Sequence, residues 1–163
     1  MYDGDLNIVV RLIIAVVLSG VLGWERESAR KSAGLRTHIL VGFSAALFVV
    51  LGEFMAADFR RFGEHVRFDG ANLIGAVVTG ISFLGAGMII FQRRSHDIKG
   101  LTTAAGILAT AAIGMLVGMQ RYFLAAAGTA IVFVVLHIVH YFEPKQKIAG
   151  SGEGSENDAE DDA

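Results

Sequence analysis

Hydrophobic and polar positions alternate in long blocks rather than residue by residue. Five apolar stretches, about 6–24, 35–51, 71–91, 101–119 and 123–141, are separated by short polar connections. Each is close to the ~20 residues that an α-helix needs to cross a hydrocarbon core. The pattern predicts an all-α integral membrane protein with five transmembrane helices. The first polar interruption is the densest, Gly23-Trp-Glu-Arg-Glu-Ser-Ala-Arg-Lys-Ser-Ala-Gly-Leu-Arg-Thr-His38, and it sits where the chain leaves the bilayer and turns back. Ser32, Ala33 and Gly34 supply turn chemistry. Glu27 is spaced to pair with Arg30 or Lys31 on a helical extension of the first span. Thr37 is placed to satisfy a free N–H at the start of the second.

Further along, Met55, Phe59, Phe62 and Val66 recur at helical spacing among Arg60, Arg61, Glu64 and Arg67, which predicts a short amphipathic helix on the interface. In the fourth span Gly106, Thr110, Gly114 and Gly118 form one small-residue stripe. The third carries Gly75, Thr79, Ser82 and Ala86 on a comparable face, with Gly80, Gly85 and Gly87 beside them. Such faces let helix backbones approach closely, so the third and fourth spans are expected to pack as a hairpin. Residues 143–163 hold Glu, Asp, Ser and Gly in plenty and are expected to form a disordered acidic tail.

Composition sharpens the class. Apolar residues make up 53% of the 163 positions, with 20 glycines and one proline, as suits packed membrane helices. A net charge of −2 gives no footprint for nucleic acid, and no nucleic-acid partner is expected. The absence of cysteine excludes disulfides and thiol chemistry. An acidic N-terminus marks the first apolar run as a retained span rather than a cleaved leader. Lys and Arg side chains set the orientation. Arg26, Arg30, Lys31, Arg36, Arg93, Arg94, Lys99, Lys145 and Lys147 share one side and outnumber Arg60, Arg61, Arg67 and Arg121 on the other. The positive-inside rule then places the N-terminus outside and the C-terminus in the cytoplasm.

Candidate chemistry is sparse. The third, fourth and fifth spans contain no Asp or Glu, which weakens a cation pathway without excluding one, since Mg2+ keeps much of its water when bound. Gly85-x-Gly87 lies inside a span with no strand before it and is rejected as a nucleotide motif. His137 and His140 are spaced to share a metal but lack a third ligand, and interfacial histidines account for them. No hydrolase or metalloprotease motif is present, so no enzymatic activity is expected. Arg11, inside the first span, either snorkels to the interface or is a buried cation paired across helices. Cations at the start of the second span oppose its helix dipole, so Arg36 and His38 answer either to lipid head groups or to Glu25 and Glu27.

Several of these residues fall into ordered motifs. Gly23-Trp-Glu-Arg-Glu27 with Ala33-Gly-Leu-Arg-Thr-His-Ile-Leu-Val41 resembles the signature of the MgtC/SapB family. Val78-Thr-Gly-Ile-Ser-Phe-Leu-Gly-Ala-Gly-Met-Ile89, Gly100-Leu-Thr-Thr-Ala-Ala105 and Thr110-Ala-Ala-Ile-Gly114 resemble its other blocks. The resemblance covers about residues 6–142. It implies a five-span bacterial inner-membrane protein linked to magnesium homeostasis and growth in low magnesium, acting on a membrane partner such as the F-type ATP synthase or a magnesium transporter. It implies no cofactor beyond weak association with Mg2+. Longer members carry a cytoplasmic domain after the last span, and this chain is expected to be the short, membrane-only form. The polar cluster expected to carry function comprises Glu25, Arg26, Glu27, Arg36, Thr37 and His38, closed by Arg11, Lys99, Thr102 and Thr103. The rival expectation is direct transport of magnesium or another ion through a homo-oligomer.

Overall fold

The computed structural model describes residues 2–59, 69–91 and 100–142. Among these the chain is all-helical, with five helices: α1 (Tyr2–Ser28), α2 (Leu35–Phe59), α3 (Gly70–Phe91), α4 (Leu101–Gly118) and α5 (Tyr122–Phe142). Four of them, α1 to α4, are long and apolar enough to cross a membrane. The apolar part of α5 that is described ends at Ile138. The expected interfacial helix is corrected at its start, because Met55 and Phe59 belong to α2 itself. Its remainder, residues 60–68, lies outside the described residues, as do Arg93, Arg94, Lys99 and the tail from 143.

The ends of the helices follow from where orphan backbone groups find partners. α1 closes with Lys31 N–H donating to the Arg26 carbonyl (3.0 Å) and Arg30 N–H to the Glu27 carbonyl (2.9 Å). α4 closes in the same way, with Arg121 N–H on the Leu116 carbonyl (2.8 Å) and Gln120 N–H on the Val117 carbonyl (2.9 Å). This paired closure needs a left-handed residue, usually glycine. Here Arg30 (φ 53°) and Gln120 (φ 61°) fill that role. The cap of α2 is not Thr37, which is exposed. It is Glu27, whose Oε2 accepts from Leu35 N–H at 2.8 Å. Asp69 caps α3 by accepting from the N–H groups of Ala71 (3.0 Å) and Asn72 (3.2 Å).

Packing is inverted relative to a water-soluble bundle. On α1 the large apolar side chains Leu6, Val9, Ile13, Val17 and Trp24 point outward, while Arg11, Ala15, Ser19, Leu22 and Arg26 are buried at helical spacing. In lipid there is no hydrophobic gain in hiding a leucine, so close backbone approach and polar contacts decide which face turns inward. The tight core is α1, α2 and α4. A Cβ added at Gly42 would collide with the Ser19 side chain of α1. One at Gly114 would collide with the Gly42 carbonyl, and one at Gly118 would lie 2.9 Å from the Ala46 carbonyl.

α3 does pack on α4, with Val77, Ile81 and Met88 against the cluster that holds Ile107, Ala111 and Met115, but the expectation that the two small-residue stripes make this hairpin needs correction. The α4 stripe faces α2, and α3 is the most exposed of the long helices. Gly75, Gly80 and Gly87 have open space where a side chain would be, and only Gly85 meets α4, 3.2 Å from the Ala104 Cβ. Thr79 is exposed and turns its hydroxyl back to the Gly75 carbonyl (2.8 Å).

Candidate functional site

Two buried charge clusters stand at opposite ends of the α1/α2/α4 core. Arg11 is buried on α1 at one end. Its Nη1 donates to Glu53 Oε2 of α2 at 2.8 Å and to the Gly118 carbonyl of α4 at 3.1 Å, and its Nε donates to Asn7 Oδ1 at 2.8 Å. The Gln120 side-chain amide, turned with its oxygen inward, accepts from the same guanidinium. Of the two expectations for Arg11, the paired cation is the one observed. Membrane-buried charges need such partners because unpaired ones cost several kcal/mol.

The second cluster lies at the end where α1 turns into α2. Arg26 is only 2% exposed and Glu25 8%. They pair bidentately, Nε to Oε2 at 2.5 Å and Nη2 to Oε1 at 2.9 Å. Nη2 also reaches the Leu136 carbonyl of α5 at 3.3 Å. The pair thus ties α5 to the core, with a guanidinium fork matched to a carboxylate. Glu25 borders a recess of about 340 Å3 between α1 and α5, walled by Trp24, Ser28, Phe133 and His137. His137 itself is exposed and stacks on Phe133, with ring centroids 6.0 Å apart.

His38, fully buried on the first turn of α2, completes this end. Its Nδ1 lies 3.0 Å from the Gly34 carbonyl. It packs against α1 at Gly23, where an added Cβ would lie 2.9 Å from the His38 Cβ. That glycine is needed for the close approach of α1 and α2.

The expected ten-residue cluster is thus divided. Glu25, Arg26 and His38 come together, buried. Glu27 is exposed and acts as the cap of α2. Arg36, Thr37 and Thr102 are exposed, while Thr103 is buried on α4. Arg11 does not close this cluster: it lies fifteen residues from Arg26 on one helix, about 22 Å along the axis. Lys99 and the side chain of His140 lie outside the described residues. Among the described residues no group of three His, Cys, Asp or Glu side chains is placed to hold a metal.

Sequence reasoning missed Asn7, Glu53 and Gln120 as partners of Arg11. For Glu53 the hairpin register gave only a partial signal. In an antiparallel hairpin, partners lie at matching distances either side of the turn, as Gly23 and His38 do, and Ser19 and Gly42. Arg11 and Glu53 fall three residues off that relation, which would set Arg11 opposite Val50, and the long arginine side chain spans the offset.

Between α2 and α3 runs a groove of about 540 Å3 bordered by Leu40, Ser44, Phe48, Leu73, Val77 and Leu84. Its apolar lining suits acyl chains or an apolar helix and offers nothing to a cation.

Apolar helices packed through glycines, with their few charges paired inside, define a multi-pass helical membrane protein. The sequence matches the MgtC family over residues 12–145, and the chain belongs to that family. It is 42% identical over 132 residues to an Escherichia coli K12 protein named "Putative magnesium transporter YhiD", covering 81% of this chain and 60% of that one. To "Protein MgtC" of Brucella abortus it is 35% identical over 121 residues, covering 74% of this chain and 46% of that one. To "Protein MgtC" of Salmonella typhimurium it is 33% identical over 124 residues, covering 76% and 48%. The chain therefore aligns with about half of the length of these curated relatives. No solved structure matches it.

Proposed function

We propose that this chain is a non-catalytic protein of the bacterial inner membrane that supports magnesium homeostasis by regulating a membrane partner. The observation that carries the reading is the closure of the α1/α2/α4 core. Gly114 and Gly42 bring α4 and α2 into backbone contact, and the buried charges at both ends are engaged with each other and with carbonyls. Between those glycines a hydrated cation finds no room, and among the described residues the one buried carboxylate of this core, Glu25, is taken by Arg26. Membership of the MgtC family and the printed name of the E. coli relative supply the link to magnesium. The Lys and Arg distribution puts the Glu25–Arg26–His38 end on the cytoplasmic side. The partner is a membrane protein such as the F-type ATP synthase or a magnesium transporter, with lipid around the apolar faces.

A second reading rests on α3. Its Gly75, Thr79, Gly80 and Gly87 face open space in a single chain, and in a homo-oligomer such a face could line a path for Mg2+. Magnesium flux into proteoliposomes holding only the purified protein separates the two. Regulation predicts flux no greater than in empty liposomes, together with a low-magnesium growth defect on deletion that the intact chain restores. Flux above empty liposomes that falls on substitution of Thr79 would overturn the regulatory reading.

A further inference from the structure

The small-residue face of α4 has an unusual neighbour at its first buried glycine. His38 is fully buried, and its Nδ1 sits 3.0 Å from the Gly34 carbonyl. A carbonyl only accepts, so Nδ1 carries a proton, and in the neutral ring Nε2 is left with a lone pair. Among the described residues Nε2 has no hydrogen-bond partner. It points at α4, where a Cβ placed on Gly106 would meet nothing within 4 Å except that nitrogen, at 3.8 Å. At the next glycines of the same stripe the result is opposite: a Cβ added at Gly114 would collide with the Gly42 carbonyl of α2, and one at Gly118 would lie 2.9 Å from the Ala46 carbonyl. The stripe is sealed along those turns and leaves methyl-sized room at Gly106, beside a buried acceptor.

Other polar groups lie within a turn of Gly106 or His38. Thr103 is buried one turn earlier on α4. Ser19 Oγ, also without a partner among the described residues, lies against Gly42, one turn beyond His38 on α2. Thr110 is engaged with the Gly106 carbonyl at 2.8 Å. Glu25 and Arg26 hold each other. An apolar occupant would leave Nε2 unsatisfied, at the full desolvation penalty of a buried acceptor. A small hydrogen-bond donor beside Nε2 removes that penalty.

We propose that His38, fixed as its Nδ1–H tautomer, presents Nε2 to a single internal water held over Gly106. This makes the α2–α4 contact wet at its first turn and dry beyond it. The site is independent of the magnesium reading.

The test is NMR on the full chain, labelled with 15N-histidine and reconstituted in lipid nanodiscs. The His38 ring signals are assigned by their loss in His38→Gln. The expected spectrum has a protonated Nδ1, an unprotonated Nε2 and rapid magnetisation transfer from water to the ring. Gly106→Ala fills the room without a backbone clash. It should keep the Nδ1–H tautomer and lower the transfer at least threefold, while Leu108→Ala, at an outward position, leaves it unchanged. A protonated Nε2, no water transfer in the unmodified protein, or undiminished transfer in Gly106→Ala would each overturn the proposal. So would an Nε2 signal that shifts in Lys99→Gln, because the lysine would then be the donor.

Discussion

Replacing Glu25 by Gln tests how much the buried pair beside the α1–α2 turn matters. The change keeps the shape and removes the charge that faces Arg26. That guanidinium is 2% exposed and stays charged in any environment, so it is left with the Leu136 carbonyl at 3.3 Å and a neutral amide. Removing one partner of a buried pair costs about 3–5 kcal/mol. The retained carbonyl and amide put this case at the lower end, about 3 kcal/mol. Replacing both residues, Glu25→Leu with Arg26→Met, removes both charges and should restore stability to within about 1 kcal/mol of the original protein. The assay is equilibrium unfolding in mixed detergent–SDS micelles, run beside growth on limiting magnesium. If Glu25→Gln loses less than about 0.5 kcal/mol, the guanidinium is reached by water and the burial argument fails. If the double variant recovers stability but not growth, the pair serves recognition as well as folding. If it recovers both, the pair is structural only.

Other substitutions probe the packing. Gly114→Ala drives a Cβ into the Gly42 carbonyl and should cost about 2–3 kcal/mol by forcing two backbones apart. Gly80→Ala, in open space on α3, should be neutral or stabilising by up to about 1 kcal/mol through helix propensity; both are read by the same unfolding assay. Arg11→Ala should cost about 3 kcal/mol, since it strands the Gly118 carbonyl and unlinks three helices, whereas Glu53→Gln should cost only about 1, because Glu53 is 47% exposed. A reversed order in thermal stability would contradict the described burial. Arg30→Gly should raise stability by about 1 kcal/mol by relieving the left-handed φ of 53°. Gln120→Gly should gain less, because it also loses the contact with Arg11.

The helices of the C-terminal half were legible almost to the residue: 71–91 against Gly70–Phe91, 101–119 against Leu101–Gly118 and 123–141 against Tyr122–Phe142. The first two were drawn short, at 6–24 and 35–51, because hydropathy marks the hydrocarbon slab and not the end of the hydrogen-bonded helix. α1 runs on to Ser28 through polar residues, and α2 to Phe59 through a mixed segment in which Glu53 and Asp58 alternate with Phe54, Met55 and Phe59. The α4 stripe was legible as a face of close approach, but its partner was not. Small residues state that something comes near, and both α2 and α3 offer small residues in reply. Which replies depends on whose backbone can reach, and Gly42 is what admits α4 to α2. The polar cluster was half legible. A motif in sequence joins residues that a helix then separates by angle, so Glu25 and Arg26 turn inward while Arg36 and Thr37 turn outward.

The two charge clusters solve a problem that the glycine stripe creates. Gly106, Thr110, Gly114 and Gly118 recur every four residues, so sliding α4 along α2 by one turn, about 5.4 Å, would set one small residue where another had been. Dispersion between such similar surfaces discriminates weakly among registers. A shift of that size would carry the Gly118 carbonyl out of reach of Arg11, to which it now lies at 3.1 Å, and with it the turn that brings Gln120 to the same guanidinium. Slippage of α1 along α2 would part Arg11 from Glu53. Slippage of α5 would withdraw the Leu136 carbonyl from Arg26. Glycines give the core its closeness, and the buried arginines, one at each end, select a single register among the several that closeness alone would allow.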